Sequence, residues 1–315
     1  MAQYTSLSAH DIEAIATHFA IQDIISFKVL SGGWENTNYF IQTANGEYVL
    51  TISEQKTRDE ARKLAQILEH LEKNHFETSK IIRSTNNEPS ILWKGRPVMI
   101  KRFIKGRIVE YLSPHLLELT GRALGKLHKI EAPSYLPKQV NYGKEQFARV
   151  EQYAPNSPFD RWLKEKLAYI SPYLDQNLPK ALIHTDVFTD NVIVRDDERS
   201  VVILDFEEAA YYYRIFDIGM MIIGTCGEED AVNLAKAACI LKGYGGEIQL
   251  LDVELDALQA FTVYAGAAMT FWRHLTFNYA RPDPKLANHY LGLKVLTDDV
   301  YKLSPNRFLK LVRAE

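Results

Sequence analysis

The first part of the chain alternates between apolar and polar positions in the way that β-strands do. Between residues 26 and 52, the segments SFKVL, NYFIQT and EYVLTI each repeat with a period of two, which predicts half-buried strands. Asn45-Gly46 separates the last two segments and is typical of a hairpin turn. Two shorter strands are predicted at 90–93 and 97–102.

Two helical patterns accompany these strands. Residues 59–73 carry leucine and isoleucine at helical spacing on one face. Near the N-terminus, Ser8 followed by Asp11 has the form of a capping box at the start of an amphipathic helix.

The pattern becomes mostly helical after residue 113. The predicted helices span 114–129, 160–173, 231–243, 255–278 and 285–301. Two stretches interrupt them as β-hairpin material: HTDVFTDNVIV at 184–194 and VVILDFEEA at 201–209.

The order of these elements predicts an α+β fold with two lobes. The N-terminal lobe, residues 1–102, is a small antiparallel β-rich region with one inserted helix. Residues 103–107 form a hinge, and residues 108–315 form a larger, mostly helical C-terminal lobe.

The composition is that of an ordinary globular protein and argues against several classes of partner. The chain has 315 residues, 46% of them hydrophobic and 24% charged, with a net charge of −3. This supplies enough apolar material for a core, whereas the charge gives no sign of binding to nucleic acid or to an anionic membrane. The oligomeric state is left open.

Neither a targeting segment nor a disulfide is predicted. The N-terminus lacks the basic flank and apolar core of a signal peptide, and the run IFDIGMMIIGTC is too short to span a membrane. Cys226 and Cys239 have no CxxC spacing and sit among apolar residues, which is typical of a reducing compartment. We expect a cytoplasmic protein.

Polar side chains crowd the short turn after residue 183. Asp186 and Asn191 have four residues between them, and Asp205 follows at the end of the apolar run 201–204. Phosphoryl transfer needs such a set: one Asp accepts the proton of the attacking hydroxyl, while an Asn and a second Asp hold Mg²⁺. We predict these roles for Asp186, Asn191 and Asp205. The alternative is a polar turn that merely caps a hairpin.

The residues around this turn are expected to support it. His184 follows a buried strand and is predicted to be a structural hydrogen-bonding residue that holds the turn. Asp190 is predicted to be structural. Asp217 is flanked by apolar residues, so its carboxylate should be hydrogen-bonded, and we expect it to brace the turn. Upstream, the stretch SGGWENTNYF can aim backbone N–H groups at phosphates, although adjacent glycines also form ordinary turns.

These motifs together resemble the aminoglycoside phosphotransferase and choline kinase superfamily, which has a protein-kinase-like fold. Within it, the chain is most similar to the homoserine kinases. The similarity runs through YTSLSAHDIEAI, SGGWENTNYFIQTANGEYVLTI, GRPVMIKRFIKGR, HTDVFTDN, ILDF and GAAMTFW, and so covers nearly the whole chain.

The resemblance implies ATP and Mg²⁺ as cofactors. It also makes Asp186 the base and Asn191 and Asp205 the metal ligands, in agreement with their spacing. The residues that it places at the nucleotide are Ser31, Gly32, Gly33 and Asn36 of the nucleotide loop and Arg102, Phe103 and Ile104 of the hinge.

One departure concerns the phosphates of the nucleotide. Many relatives carry a phosphate-binding lysine on the strand where this chain has Thr51, and that lysine pairs with a helical glutamate, here Glu60. We expect Lys101 to supply the missing cation, since strand alternation places it on the face of Met99 and Phe103. The alternative is that Lys101 points to solvent, in which case Lys56 and Arg58 are the next candidates.

The resemblance predicts an ATP-dependent kinase of a small hydroxyl compound, with L-homoserine as the leading substrate and O-phospho-L-homoserine, on the route to threonine, as the product. A homoserine site must pair the carboxylate with a cation and the ammonium with an anion. We predict Arg273 for the carboxylate and Glu207 or Glu208 for the ammonium.

Two other functions remain open at this point. A choline-like, ethanolamine-like or aminoglycoside kinase is the first, with a choline cage formed by rings among Phe271, Trp272 and the run Tyr211–Tyr213. These rings serve equally well as core. The second is a nucleotide-binding regulatory pseudokinase, which Thr51 suggests and the intact Asp186 opposes.

Overall fold

The chain divides into two compact units, Met1–Gly106 and Arg107–Glu315. The structure, a computed structural model, describes residues 5–30 and 36–313. Antiparallel strands dominate the first unit and helices dominate the second, which confirms the predicted α+β class.

The N-terminal unit is built on an antiparallel sheet. Its strands are β1 (Ile24–Leu30), β2 (Asn36–Thr43), β3 (Gly46–Ser53), β4 (Ile81–Ile82), β5 (Ile91–Trp93) and β6 (Arg96–Arg102). Their spatial order is β1-β2-β3-β6-β4, and β5 pairs with β6. The helices in the described part of this unit are α1 (Ala9–Thr17) and α2 (Arg58–Lys73).

The two faces of this sheet have different roles. One face packs on α1 and forms the hydrophobic core of the unit, with fully buried residues such as Ile41, Leu50 and Ile100. On the opposite face the register places Asn38 beside Thr51 and Thr51 beside Met99. This second face therefore carries Thr51 and Lys101, which the sequence analysis connects with the phosphates of the nucleotide.

The second unit begins with a short strand, β7 (Arg107–Ile108), and contains most of the helices. Its other strands are β8 (Lys180–Ile183), β9 (Val192–Val194), β10 (Val201–Ile203), β11 (Ala210–Tyr213), β12 (Gly227–Glu228) and β13 (Ala231–Val232). Its helices are α3 (Pro114–His128), α4 (Val150–Tyr153), α5 (Pro158–Leu174), α6 (Arg214–Thr225), α7 (Leu234–Gly245), α8 (Asp252–Leu275), α9 (His289–Tyr301) and α10 (Pro305–Arg313).

The core of the second unit lies between α6 and α8. A Cβ atom added at Gly219 would lie 2.7 Å from the Phe261 carbonyl oxygen, so the two helices approach closely because this position has no side chain. Within the described ranges 5–30 and 36–313, no helix has both the length and the apolar character needed to cross a bilayer.

Three predicted helices in this unit begin three or four residues away from the predicted position, and one of them, predicted at 255–278, is α8 at Asp252–Leu275. The helix predicted from residue 231 begins at Leu234, because the Asn233 side chain accepts from the Lys236 N–H at 3.1 Å and caps it. The preceding residues form β13 instead. The helix predicted from residue 285 begins at His289, and α8 is followed by a single π-helical turn at Thr276–Ala280.

Capping fixes the start of both helices in the N-terminal unit. At α1 the predicted box forms, since Asp11 N–H donates to Ser8 Oγ at 3.2 Å and Ser8 N–H donates to Asp11 Oδ2 at 3.0 Å. At α2, Thr57 N–H donates to Glu60 Oε2 at 2.7 Å, and the Thr57 hydroxyl contacts the same oxygen. Glu60 therefore serves its own helix, and these bonds lower the pKa of its carboxyl.

The capping role of Glu60 can be tested against the role that the family resemblance suggests, in which this glutamate pairs with a cation that binds phosphate. We expect Glu60→Ala to lower the free energy of unfolding by about 1 kcal/mol, as for the loss of a helix cap. The Michaelis constant for ATP should change less than about two-fold, because the capping contact is local. Urea denaturation and steady-state kinetics measure the two quantities, with the exposed Lys63→Met on the same helix as control. A large rise in the Michaelis constant without loss of stability would contradict the capping role.

Candidate active site

Short strands bring the acidic turn together. The turn follows β8, and β9 then pairs antiparallel with β10 so that Val192 lies opposite Ile203. The Leu204 N–H donates to the Asn191 carbonyl at 2.8 Å. Asn191 precedes β9 and Asp205 follows β10. Because the two strands are antiparallel, these two residues lie at the same end of the hairpin.

Asp186 and Asn191 are in direct contact. The Asn191 amide nitrogen donates to Asp186 Oδ2 at 3.2 Å and to the Asp186 carbonyl at 2.9 Å. Since the nitrogen faces Asp186, the amide oxygen points the other way and is oriented to accept a ligand. Asp186 and Asn191, which have four residues between them in the sequence, are thus hydrogen-bonded to each other in the structure.

His184 holds the turn from within, as predicted. The Asp186 N–H donates to His184 Nδ1 at 3.1 Å, so Nδ1 carries no proton. Nε2 is then the protonated nitrogen, and it donates to the Leu204 carbonyl at 2.6 Å. Burial lowers the pKa of this fully buried imidazole and keeps it neutral. His184 therefore ties the turn to the end of β10.

Asp217 braces the same turn from α6, which confirms the prediction for this residue. Its carboxylate accepts from the backbone N–H groups of His184 and Thr185, each at 2.7 Å. His128 Nε2 donates to it at 3.1 Å, and His128 Nδ1 lies 2.9 Å from the Tyr244 hydroxyl. Asp217 is fully buried.

The backbone of the site is strained at two positions. Thr185 has φ +76° and Asp205 has φ +66°, both in the left-handed region that non-glycine residues rarely adopt. Such conformations persist where surrounding contacts over-determine them. At Thr185 these contacts are the Asp217 carboxylate and the Tyr142 hydroxyl, which donates to the Thr185 carbonyl at 2.7 Å.

Helix α6 also packs tightly against the turn. A Cβ atom at Gly224 would lie 2.5 Å from the Val187 carbonyl oxygen. Helix α6 therefore contacts the turn near its start, through Asp217, and near its end, at Gly224.

The electrostatic surroundings of Asp186 are unusual for an aspartate. Desolvation raises the pKa of the Asp186 carboxyl to about 7, and the neighbouring Asp190 carboxylate adds to this effect. The Arg273 guanidinium opposes the rise, whereas Glu208 contributes to it. A carboxyl group with a pKa near neutrality is suited to accept a proton at physiological pH.

Arg273 and Glu208, two of the predicted substrate residues, are thus brought into the electrostatic neighbourhood of Asp186. The Arg273 guanidinium lies 5.3 Å from the centroid of the Phe188 ring. Burial lowers the pKa of Arg273 to about 10, and Asp186 and Asp190 oppose this fall. Glu208 Oε2 accepts from Asn141 Nδ2 at 2.6 Å.

Glu207, the other candidate for the ammonium, is partly exposed between β10 and β11. Sequence reasoning missed Asn141, Tyr142 and Phe188, which hold the site together through contacts to Glu208, Thr185 and Arg273. Asn141 and Tyr142 lie more than 40 positions before their partners along the chain. No local pattern in the sequence could have indicated such contacts.

In the N-terminal unit, Lys101 lies on the same sheet face as Thr51, because Val49 and Thr51 oppose Lys101 and Met99 in register. Lys101 is partly buried. Thr51 is 3% exposed, and its hydroxyl donates to Asn38 Oδ1 at 2.8 Å. The Thr51 side chain is therefore bonded to its neighbour within the sheet.

The remaining nucleotide candidates of this unit are placed as follows. Ser31, Gly32 and Gly33 lie outside the described residues, and Asn36 is the first residue of β2. The Phe103 ring meets Phe40 edge-on with centroids 4.9 Å apart. Arg102 is exposed, and Ile104, just beyond β6, is partly exposed.

The donor set at the hairpin end suits a hard cation. In the portion of the chain that the structure describes, no cluster of three His, Cys, Asp or Glu side chains could hold a metal. One aspartate and one amide oxygen nevertheless suffice for Mg²⁺, which usually keeps waters and takes further oxygens from phosphates. Asn191 and Asp205 fit this type of site, because both offer oxygen at one end of the hairpin.

The rings considered for a choline cage are engaged in packing. Phe271 and Tyr212 are 1% and 3% exposed. The Tyr212 hydroxyl lies 3.3 Å from that of Tyr264, and the Trp272 ring meets Phe277 edge-on. These values and contacts place Phe271 and Tyr212 in the core, whereas Tyr211, Tyr213 and Trp272 are partly exposed.

Comparison with known proteins agrees with this geometry. The family described as "Phosphotransferase enzyme family" matches residues 26–247. The homoserine kinase of Paramagnetospirillum magneticum is 30% identical over 298 residues, which cover 90% of this chain and 90% of that protein.

Solved structures share the fold along most of the chain. The microcompartment-associated aminopropanol kinase superposes with a TM-score of 0.72 at 15% identity, covering 98% of this chain and 99% of its own. The amicoumacin kinase hAmiN, solved with AMP-PNP, Ca²⁺ and Ami, gives a TM-score of 0.70 at 16% identity, with coverages of 89% and 91%. These likenesses confirm the predicted protein-kinase-like fold.

The raised pKa of Asp186 predicts a pH-dependent cost in stability. Between pH values near 4 and 7, the unfolded chain releases the Asp186 proton while the folded chain retains it, so stability falls as the pH rises through this window. Asparagine stays neutral, and we expect Asp186→Asn to be more stable than the wild type by about 1–2 kcal/mol at pH 8, with little difference at pH 4.

Thermal unfolding of both proteins across pH 4 to 8 measures this difference. Asp196→Asn, a change at an exposed turn position between β9 and β10, serves as the control. A stability gain that is the same at both ends of the pH range would contradict the assigned pKa.

Proposed function

We propose that this chain, which belongs to the phosphotransferase enzyme family, transfers the γ-phosphoryl group of ATP to the hydroxyl of L-homoserine. The product is O-phospho-L-homoserine, on the route to threonine. The observation that carries the proposal is the arrangement around Asp186: a carboxyl with a pKa of about 7 has one cation, Arg273, and two further carboxylates, Asp190 and Glu208, in its field. The homoserine kinase relative, which matches along nearly the full length, supports this choice of substrate.

Asp186 acts as the base in this proposal. The substrate hydroxyl gives its proton to the Asp186 carboxylate while its oxygen forms a bond to the γ-phosphorus, and the bond from that phosphorus to the ADP oxygen breaks. The amide of Asn191 and the ring of His184 hold Asp186 in position. Positioning of this kind is the main contribution that a protein makes to phosphoryl transfer.

Asn191 and Asp205 would hold Mg²⁺. A Mg²⁺ ion held there would supply positive charge to offset that of the phosphates during transfer. The hairpin register fixes both ligands at one end, and the hydrogen bonds from Asn191 to Asp186 orient its amide oxygen.

Arg273 and Glu208 would recognise the two charged groups of the amino acid. A guanidinium binds a carboxylate through paired N–H donors, and a carboxylate held by Asn141 is suited to accept from an ammonium. Glu207, its neighbour in the chain, is the alternative for the ammonium.

The nucleotide would be held by the N-terminal unit. We assign it to the loop residues Ser31, Gly32, Gly33 and Asn36, to the hinge residues Arg102, Phe103 and Ile104, and to Lys101. Lys101 takes the place of the missing lysine in this proposal because it shares a sheet face with Thr51.

The two cysteines are both free, which agrees with a cytoplasmic place of action.

A coupled ADP-release assay over a panel of acceptors tests the substrate. We expect turnover with L-homoserine and ADP release near background with choline, ethanolamine and kanamycin, because only the amino acid uses both Arg273 and Glu208. Asp186→Asn should reduce transfer by about 10²- to 10⁴-fold, as expected for the loss of a positioned base. Turnover with choline and none with L-homoserine would refute the substrate assignment, and near-normal turnover by the variant would refute the base.

The role of Lys101 is tested separately. We expect Lys101→Met to raise the Michaelis constant for ATP about ten-fold or more, the usual effect of losing one charged hydrogen bond. The Michaelis constant for the hydroxyl substrate should stay the same. Lys63→Met, at an exposed position of α2, is the matched control. Unchanged dependence on ATP would exclude Lys101 and direct attention to Lys56 and Arg58.

A further inference from the structure

Arg273 stands in the last turn of α8 and is held by neutral partners. Its guanidinium lies over the face of the Phe188 ring, and its Nη1 is 3.3 Å from His289 Nε2. Within the described residues, no carboxylate forms a direct ion pair with Arg273. A largely desolvated cation without a direct counter-ion is costly to a fold. The arrangement therefore indicates a cation that is kept for an incoming anion.

The contact with His289 defines the state of the imidazole. A guanidinium can only donate hydrogen bonds, so His289 Nε2 must accept, and the ring proton is on Nδ1. Burial lowers the pKa of His289 to about 4, and the nearby Arg273 charge adds to this effect. The ring is thus a neutral acceptor at physiological pH, and it leaves the charge of the guanidinium intact.

The position of His289 is set by its own surroundings rather than by Arg273. The Asn278 amide donates to the His274 carbonyl at 3.1 Å and to the Ala287 carbonyl at 3.0 Å, which ties the segment before α9 to the end of α8. The His289 N–H donates to the Leu286 carbonyl at 2.8 Å, and its ring centroid lies 5.9 Å from that of Phe277. These contacts hold His289 in place independently of Arg273, so that the imidazole can orient the more flexible Arg273 side chain.

We infer that His289 is a positioning residue for substrate recognition, which accepts one N–H of Arg273 so that the others are presented to the carboxylate of the substrate. This inference rests on the proposed function and deepens it. The preference for an amino acid over an analogue without the carboxylate charge then depends on Arg273 and His289 together, and Arg273 alone would not provide it in full. A planar guanidinium binds a carboxylate well only in a narrow range of orientations, which is why an aligning acceptor matters.

Two substitutions separate the hydrogen bond from the packing of the ring. His289→Phe keeps a flat ring against Phe277 but has no acceptor, whereas His289→Gln keeps a neutral acceptor without the ring. Tyr290→Phe, at the next residue of α9, controls for disturbance of the helix, since its ring contacts to Phe159 and His274 are retained.

The measurement is kcat/KM for L-homoserine and for its carboxamide, which has the same shape without the negative charge. We expect His289→Phe to reduce the wild-type preference for the acid about ten-fold, through a higher KM for L-homoserine. Its kinetics with the carboxamide and its KM for ATP should stay the same. His289→Gln and Tyr290→Phe should retain most of the preference.

Other outcomes overturn the inference. If His289→Phe keeps the wild-type preference, the histidine does not position Arg273. If His289→Phe and His289→Gln lose activity equally towards both substrates, the ring has only a packing role. If either of these results is obtained while the wild type is active on L-homoserine, only this inference is overturned. If the wild type is inactive on L-homoserine, both the inference and the proposed function are overturned.

Discussion

The hydrogen bonds that the Asp217 carboxylate accepts from the backbone of His184 and Thr185 are the constraint on which the site depends. They satisfy two buried N–H groups that would otherwise be costly, and they hold Thr185 in a left-handed conformation. Asp186 is the next residue of this turn, where it contacts Asn191 at the start of the hairpin that leads to Asp205.

Two of the charged groups, Asp186 and Arg273, are positioned directly by neutral histidines. His184 is a neutral imidazole that holds Asp186, and His289 is a neutral imidazole that touches Arg273. Supports of this kind fix the orientation of a charge without cancelling it. Asp186 consequently feels opposing influences, since Arg273 favours its ionised form and Asp190 and Glu208 oppose it.

The sequence predicted those features that rest on local patterns. The Ser8–Asp11 capping box, the strands β1, β2, β3, β5 and β6, and the placement of Asp186 and Asn191 in one turn all follow from short spacings. Asp217 was predictable because a charged residue in an apolar run needs buried partners. Glu60 shows the limit: a family resemblance suggested a distant lysine, yet the nearest donors, those of Thr57, bind its carboxylate. The pairing of Arg273 with His289 depends on how α8 and α9 are joined, which neither segment encodes alone.

The π-helical turn at Thr276–Ala280 separates α8 from the segment that leads to α9. Irregular turns of this kind tolerate changes in length and side chain better than a regular helix does. In our assignment, Arg273 and His289, which serve the substrate carboxylate, flank this turn, whereas Glu208 and the groups that move the phosphoryl group lie on or beside the braced hairpin. New acceptor specificities can therefore arise in descendants of such a protein by mutation around one turn, while the reaction itself is inherited unchanged.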